Sequence, residues 1–247
     1  MMQKDAHLPP EDLLAFFGLK KEDFGAIALV SGDVQRAHAC LEKIENPIKN
    51  FTFMDYTFWT GTFRGKRVTI GNGGLFSPDS AITTELLCCI GVDTLIRLGS
   101  CGALKEDMQV GDFIIADKVI RGDGTTPYYV GDDFVPKADK TMSDQLFSLA
   151  SEKTRTHRGP LWTTDALFRE TKEIVNPYIE KGAIGVDMIA SSFFTIANLY
   201  KKKIAAILTV SDNLITGEIG FLDSRFSDAQ KKMIDIAFKF VEESDEC

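Results

Sequence analysis

The 247-residue chain has few cysteines and histidines, and neither type is spaced as in a metal site. Its 5 cysteines form no Cys-x-x-Cys pair, and the 3 histidines do not cluster with them. No zinc site, and no other metal site, is therefore expected. Unpaired cysteines within apolar runs indicate a reducing compartment, and the cytoplasm is the expected location.

Long apolar runs and an excess of positive charge are also missing. No run approaches the roughly 20 residues that span a bilayer, and residues 1–12 contain no apolar core of signal-peptide length. With 28 Lys and Arg against 36 Asp and Glu, the formal net charge is -8. This balance argues against a general nucleic-acid binder and against a polybasic membrane patch. Neither nucleic acid nor a membrane is expected as a partner.

Apolar strands alternate with helical segments along most of the chain, which contains no internal repeat, linker or low-complexity stretch. Buried strands are predicted at 26–30, 92–96, 113–120 and 204–210, and helices at 34–43, 78–90, 141–152, 169–181 and 224–243. This alternation predicts a single-domain, three-layer α/β/α fold with a mixed sheet. Residues 1–25 are expected to form a peripheral segment, and 26–247 the domain.

Three other segments have less regular patterns. Residues 51–63, rich in aromatics and threonines, are predicted as one strand before a hairpin turn at 64–66, and they are either core or an oligomer contact. Residues 187–199 are predicted as a helix that starts at Asp187. Residues 121–138 are predicted as a long loop, a length common among functional or mobile segments.

Two predicted strands end in residues that suit an anion. The strand at 92–96 leads into Arg97 and then Gly99-Ser100-Cys101-Gly102, where backbone N–H groups, a hydroxyl and a guanidinium come together. The strand at 26–30 leads into Gly32-Asp33 and a helix whose first turn carries Arg36. The alternatives are a structural ion pair for Arg97 followed by a tight turn at 99–102, and an N-cap Asp33 with a solvated Arg36.

Five motifs, in this order along the chain, resemble the nucleoside phosphorylases of the uridine phosphorylase and hexameric purine nucleoside phosphorylase type. They are Gly32-Asp33-x-x-Arg36, Arg97-x-Gly99-Ser100-Cys101-Gly102, Thr164-Asp165 with Phe168, Val186-Asp187-Met188, and Thr209-Val210-Ser211-Asp212. The resemblance implies a central mixed, partly barrel-like β-sheet. It also implies a pentosyltransferase that needs no cofactor, takes inorganic phosphate and a nucleoside as substrates, and is a homo-oligomer, either a dimer or a trimer of dimers.

The same resemblance implies roles for individual residues. Phosphate is held by Gly32, Arg36, Arg97 and Ser100, while the nucleoside contacts Trp162, Asp187, Met188 and Ile189. Asp212 protonates a purine as it leaves, assisted by Arg225; the alternative is a strand-end residue that caps a turn. His7 is a candidate for the histidine that some members lend to a neighbouring subunit, against a solvated terminal histidine.

Three departures from the family pattern stand out. Ile189 occupies the position of a second carboxylate that accepts both ribose hydroxyls, so sugar recognition is expected to weaken by one or more powers of ten. Asp187, placed on a helix at another angle, is not expected to substitute for it. The glycine-rich loop at 73–78 differs, and residues 53–56 contain no arginine to reach a neighbouring phosphate site.

Asp212 favours phosphorolysis of a purine nucleoside, because a carboxylic acid can protonate the departing ring. A uridine phosphorylase-like activity is the first alternative. A weakly active or non-catalytic nucleoside-binding relative is another, motivated by Ile189. A hydrolytic nucleosidase is disfavoured by Arg36 and Arg97, since hydrolysis needs no phosphate site.

Overall fold

A computed structural model describes residues 7–244. The strands are β1 (Ile27–Ser31), β2 (Glu45–Phe53), β3 (Tyr56–Phe63), β4 (Lys66–Asn72), β5 (Thr94–Ala103), β6 (Phe113–Gly122), β7 (Thr156–Thr164), β8 (Gly185–Asp187), β9 (Lys203–Asn213) and β10 (Glu218–Ile219). The α-helices are α1 (Pro10–Phe16), α2 (Val34–Leu41), α3 (Ser77–Ile90), α4 (Lys140–Ser151), α5 (Lys172–Glu180), α6 (Ala190–Leu199) and α7 (Ser224–Glu243). Within the described range, none of these helices is both long and apolar enough to cross a membrane.

All ten strands belong to one mixed sheet in the order β10-β9-β6-β7-β8-β5-β1-β4-β3-β2. Because β9 also pairs with β5, strands β5, β9, β6, β7 and β8 close into a ring. Strand β1 then pairs in parallel with both β5 and β4, and β3 and β2 extend that wing as antiparallel hairpins. The expectation of a mixed, partly barrel-like sheet is confirmed.

Alternation along the central strands divides the core into two parts. In β9, Ile204, Ala206 and Leu208 join one apolar cluster, while Ala205 and Ile207 join a second. Helices α3 and α6 cover the first cluster, and α2, α4 and α7 cover the second. Successive side chains of a strand point to opposite faces, so this two-sided burial produces the expected three layers.

The N-terminal segment is packed against this core. Leu14 of α1 and Phe24 are each 7 % exposed and belong to the first cluster, and α1 lies against α3. The aromatic segment at 51–63 is divided by a turn at Met54-Asp55 between β2 and β3. Phe51 and Phe58 stack inside the first cluster, which makes these rings core rather than an exposed contact surface.

Several boundaries differ from the sequence predictions. Strand β5 does not end before Gly99; it continues through Ala103, because β8 and β9 flank it and pair with Gly102 on both sides. Asp187 ends strand β8 instead of starting a helix, and α6 begins at Ala190. Helix α5 begins at Lys172 and includes Pro177, whereas α7 has the predicted limits.

The packing of β5 leads to a stability prediction. Leu95 is fully buried in the first cluster, so Leu95→Ala is expected to lower the free energy of unfolding by about 2–5 kcal/mol. The same substitution at Leu222, which is fully exposed, should change it by no more than about 0.5 kcal/mol. Urea unfolding followed by circular dichroism at equal protein concentration measures both. Equal losses for the two variants would contradict the described core.

Candidate active site

The ends of β5 and β9 meet at a shared position next to β8. Gly102 of β5 pairs with Asp212 on one side and with Val186 on the other. The register of β5 against β9 shifts here, so that Ser211 is the extra residue of a bulge. A bulge bends a strand and redirects its side chains, a device common beside active sites. Two neighbouring strand ends thereby present their polar residues to the same surface.

The end of β1 closes the second side of this surface. A Cβ atom added to Gly32 would lie 2.5 Å from the carbonyl oxygen of Gly74 and 3.0 Å from Cδ1 of Ile189. Only glycine permits so close an approach between three segments. Ser77, which follows the glycine-rich loop, donates a hydrogen bond of 3.2 Å to the carbonyl of Met188. Gly32, the loop and the Met188-Ile189 segment therefore form one continuous wall.

Helix α2 begins at this wall. Asp33 is its N-cap, accepting a hydrogen bond of 2.8 Å from the backbone N–H of Gln35. The N-cap interpretation of Asp33 is thus confirmed, while the solvated Arg36 is wrong. Arg36 is 6 % exposed and lies in the first turn, where the partial positive charge of the helix end adds to its own charge.

Arg36 is held by neutral groups. Its Nη1 donates to the carbonyl of Leu98 at 3.0 Å and to Oγ of Ser31 at 3.3 Å, and Nε and Nη2 donate to Oε1 of Gln230 at 3.2 and 3.1 Å. Burial lowers the pKa of Arg36 to about 10, with Asp33 opposing the shift and Arg97 adding to it. The group stays charged at neutral pH and makes no ion pair with a described carboxylate.

Arg97 is neutralised by Asp187. Its Nη2 donates to Oδ2 of Asp187 at 2.8 Å, and both side chains are almost completely buried. Asp187 also accepts from the hydroxyl of Thr163 at 2.7 Å and from the backbone N–H of Ala190. The Nε of Arg97 is buried without a partner among the described residues. The alternative of a structural ion pair is confirmed for this arginine, but one donor remains available.

Ser100 lies next to these charges on β5. It is partly exposed, and its hydroxyl makes no hydrogen bond with any residue in the range 7–244. Buried or half-buried hydroxyls normally have a partner in the protein or in bound water. Ser100 and the free Nε of Arg97 are thus donors without acceptors among the described residues.

Ile189 occupies the N-cap position of α6 and provides no side-chain cap. It is 7 % exposed and belongs to the first core cluster, against which Met188 is also packed. The carboxylate of Asp187, one residue before Met188, is fully engaged with Arg97, Thr163 and Ala190. The expectation that Asp187 does not replace the missing acceptor agrees with these contacts, although the residue lies on a strand.

Asp212 is half-buried at the other end of the surface. Its Oδ1 lies 2.7 Å from the hydroxyl of Ser211, which also lies 3.1 Å from the carbonyl of Cys101. Its Oδ2 would be 3.1 Å from a Cβ at Gly102, so the glycine gives this carboxyl its space. Burial raises the pKa of Asp212, and the Ser211 hydrogen bond opposes that shift.

Arg225 and Trp162 are not where the sequence interpretation places them. Arg225 is exposed and binds Glu218 at 2.7 Å and Asp223, so it does not contact Asp212. Trp162 is 1 % exposed and stacks on Tyr178 at 4.1 Å between ring centroids. Trp162 belongs to a small apolar cluster with Leu104 and Val186, so its ring is enclosed by the core and presents no open face to a ligand.

One candidate lies apart and one residue was missed. His7 is exposed and makes no hydrogen bond with the described residues, so its expected reach into a neighbouring subunit stays a prediction. Glu170, after β7, is half-buried, and its pKa is raised to about 7 by burial and by the charge of Asp212. Only its position next to a strand-end Thr-Asp motif could have drawn attention to it from sequence.

Comparison with known proteins agrees with this geometry. The family model described as the phosphorylase superfamily matches residues 26–244. The chain belongs to the phosphorylase superfamily. A purine nucleoside phosphorylase, DeoD-type, of Clostridium novyi is 30% identical over 229 residues, covering 91% of this chain and 98% of the relative. Its counterpart in Brevibacillus brevis is 34% identical over 182 residues, covering 72% and 77%.

The fold is shared with uridine phosphorylase of Vibrio fischeri. That structure superposes with a TM-score of 0.84 at 20% sequence identity, over 92% of this chain and 96% of the other. The expectation of a nucleoside phosphorylase is confirmed at the level of the family. In this chain, Arg36 donates to Oγ of Ser31, the residue before Gly32, and Asp212 pairs with Gly102.

The buried ion pair leads to the second prediction. Asp187→Asn leaves the charge of Arg97 buried and unpaired, and is expected to lower the free energy of unfolding by about 3–5 kcal/mol. Added phosphate or sulfate should restore part of that loss, because an anion can replace the carboxylate. Asp223→Asn is the matched control, since its partner Arg225 is exposed, and little change is expected. Chemical denaturation with and without the anion decides; no loss in Asp187→Asn would contradict the ion pair's importance.

Proposed function

We propose that the chain is a nucleoside phosphorylase that uses inorganic phosphate to cleave a purine nucleoside into the free base and a pentose 1-phosphate. The buried charge of Arg36 carries this proposal. An isolated cation is costly to bury, and Arg36 has only neutral partners. A dianion held beside Gly32, with donors from Arg97 and Ser100, would complete the charge balance.

The proposed reaction needs phosphate fixed next to the anomeric carbon. As the glycosidic bond breaks, positive charge develops on the sugar, and an adjacent anion stabilises it electrostatically. A phosphate that buried donors already orient loses less translational and rotational freedom when it attacks, which lowers the barrier. The hydrogen bonds of the two arginines support this role, because their protein partners hold the guanidinium groups in place.

A purine is the proposed base. Protonation of the purine ring makes it a better leaving group, and Asp212 has a raised pKa that favours the acid form needed for this step. The hydroxyl of Ser211 can donate its one hydrogen to Asp212 or to the carbonyl of Cys101, so it is compatible with either ionisation state of Asp212. Arg225, expected to assist, is engaged with Glu218 and Asp223, and Asp212 is proposed as the acid without it.

Ile189 supports a second candidate, a weakly active or non-catalytic relative that binds nucleosides. An apolar side chain against Gly32 provides no acceptor for sugar hydroxyls. We favour the enzyme, because anion donors and an acid are both present around that apolar wall. The chain is also proposed to work without a cofactor and as a homo-oligomer. A reducing compartment is proposed because Cys40, Cys88, Cys89 and Cys101 are free thiols.

A nucleoside panel tests the reaction class. Base release from adenosine, inosine, guanosine and uridine is expected only when phosphate is present, with the purines cleaved faster. Arg36→Gln should raise KM for phosphate by about 10- to 100-fold, since a hydrogen bond to a charged group is worth about 1.5–3 kcal/mol. Arg64→Gln, at an exposed arginine, should leave it unchanged. Equal rates with and without phosphate would overturn phosphorolysis, and no release from any nucleoside would support the binding protein.

The acid role of Asp212 has its own test. Asp212→Asn is expected to lower kcat for purine nucleosides by about 100- to 10,000-fold, because the amide cannot donate a proton to the leaving base. Since the acid form is required, kcat of the unaltered enzyme should fall as pH rises through the raised pKa of Asp212. That alkaline fall should be missing in Asp212→Asn, while the exposed-site variant Asp228→Asn keeps it. Rapid-quench or steady-state kinetics across pH measure both effects, and an alkaline fall that persists in Asp212→Asn would contradict the acid role.

A further inference from the structure

The strand register fixes the two ends of the proposed site along β5. Strand β1 pairs in parallel with β5 as far as Leu98, so Gly32, the residue after β1, comes level with Gly99. Further along β5, Gly102 pairs with Asp212. Since an extended strand rises about 3.3 Å per residue, the anion end at Gly32 and the acid end at Asp212 are about 10 Å apart.

The segment that leaves β8 runs along the same distance. At the acid end, Val186 pairs with Gly102. At the anion end, Cδ1 of Ile189 lies 3.0 Å from the Cβ position of Gly32. A pentose is joined to the base and attacked by phosphate at one carbon, so it has to lie between these two ends. Residues 186–189 therefore form one side of the place where the sugar binds.

Few side chains along this distance could accept a hydrogen bond from a sugar. Among residues 99–102 and 186–189, only Ser100, Cys101 and Asp187 are polar. The carboxylate of Asp187 is engaged by a guanidinium group, a hydroxyl and a backbone amide, and the thiol of Cys101 is buried against a backbone carbonyl. The proposed function gives the hydroxyl of Ser100 to phosphate. These two described segments therefore leave no carboxylate free for a sugar hydroxyl.

The start of α6 does not use the side chain at position 189. Ile189 is the N-cap residue, a position where a polar side chain usually accepts from the first amides of a helix. Here the carboxylate of Asp187 and the hydroxyl of Thr163 accept from the first two amides, each at 2.9 Å. The side chain of Ile189 thus has no capping role and packs against Gly32.

We infer that Ile189 is a specificity-determining residue that makes 2′-deoxynucleosides the preferred substrates. This inference rests on the proposed function, which places phosphate at Gly32 and the base at Asp212. In a ribonucleoside the 2′-hydroxyl is attached to the neighbour of the anomeric carbon and lies on the face that phosphate attacks. It is therefore the sugar hydroxyl nearest to the anion end, where Ile189 packs.

An apolar contact at this place treats the two sugars differently. A 2′-hydroxyl buried against Ile189 loses water and finds no acceptor in that side chain, which opposes binding. The methylene group of a 2′-deoxy sugar loses no hydrogen bond there and gains an apolar contact. Apolar pockets discriminate against an added hydroxyl by at most about 100-fold, so a preference of about 10- to 100-fold for the deoxy sugar is expected.

Calorimetry in the presence of sulfate compares the binding of inosine, 2′-deoxyinosine and 3′-deoxyinosine. Sulfate can fill an anion site without reacting, and binding is compared instead of rate because the glycosidic bond of a 2′-deoxynucleoside is intrinsically easier to break. 2′-Deoxyinosine is expected to bind about 10- to 100-fold more tightly than inosine. 3′-Deoxyinosine should gain less, since its missing hydroxyl is one carbon further from the anion end.

Ile189→Gln and Ile189→Met are the matched pair of variants. Both introduce an unbranched side chain of similar length, but only glutamine carries a carbonyl acceptor. The preference for 2′-deoxyinosine is expected to fall by about tenfold in Ile189→Gln, the value of one hydrogen bond, and to persist in Ile189→Met. Thermal unfolding checks that both variants fold. If Ile189→Gln does not, Ile189→Thr and Ile189→Val, which are isosteric with each other, repeat the comparison. A preference that persists in the polar variant, or is lost equally in the apolar one, overturns the inference.

The outcomes separate this inference from the proposed reaction. If no nucleoside is cleaved in phosphate, but 2′-deoxyinosine binds more tightly and loses that advantage in Ile189→Gln, the reaction fails and the role of Ile189 stands. Equal binding of inosine and 2′-deoxyinosine by the unaltered protein overturns the inference whether or not phosphorolysis occurs. A larger gain for 3′-deoxyinosine than for 2′-deoxyinosine overturns it as well, because Ile189 would then face the other hydroxyl.

Discussion

The structure depends on how two arginines are kept charged inside a mostly apolar sheet. Arg97 is neutralised by Asp187, and this single ion pair joins β5 to β8 across the ring of strands. Breaking such a pair is far costlier than its net gain, because the remaining charge has no water around it. Asp187 in turn anchors Thr163 of β7 and the first amide of α6, so three elements take their positions from one carboxylate.

Arg36 has the opposite solution, and the contrast is informative. Its hydrogen-bond partners fix the guanidinium between α2, β5 and α7 without removing its charge. Neutral partners around a buried cation hold its position but do not neutralise its charge. The nearby positive charge of Arg97, which helps to lower the pKa of Arg36, adds to the uncompensated charge. The arrangement therefore favours binding of an anion, but it does not specify which one.

Much of this could be predicted from sequence, for reasons visible in particular residues. Apolar alternation and strong end signals fixed β1, α3 and α7, whose limits lie within two residues of the expected ones. The turn at Met54-Asp55 was missed because Met54 adopts a left-handed conformation, with φ 50°, that its residue type does not advertise. Gly-Ser-Cys-Gly was interpreted as a turn, since the strands that keep it extended are distant in sequence.

The site residues show the same division. Asp212, Gly32 and the arginines could be found because motifs carry them, while the partners that decide their chemistry could not. Trp162 and Arg225 were assigned from position in a motif, and tertiary packing gave the first a stacking partner and the second two carboxylates. Glu170 belongs to none of the five motifs, and its half-buried position after β7 could not be read from its residue type.

The distribution of charge along the site limits where selectivity can arise. The buried positive charges are those of Arg36 and Arg97, and the carboxyl group of Asp212 lies beside Gly102. Between them lies Ile189, packed at 3.0 Å from the Cβ position of Gly32. A carboxylate at that position would stand beside the anion that Arg36 requires, whereas an isoleucine leaves that charge balance intact and offers a sugar hydroxyl no acceptor. Discrimination between bases must then come from the two ends, and since every candidate substrate shares the phosphate, it must come from the acidic end.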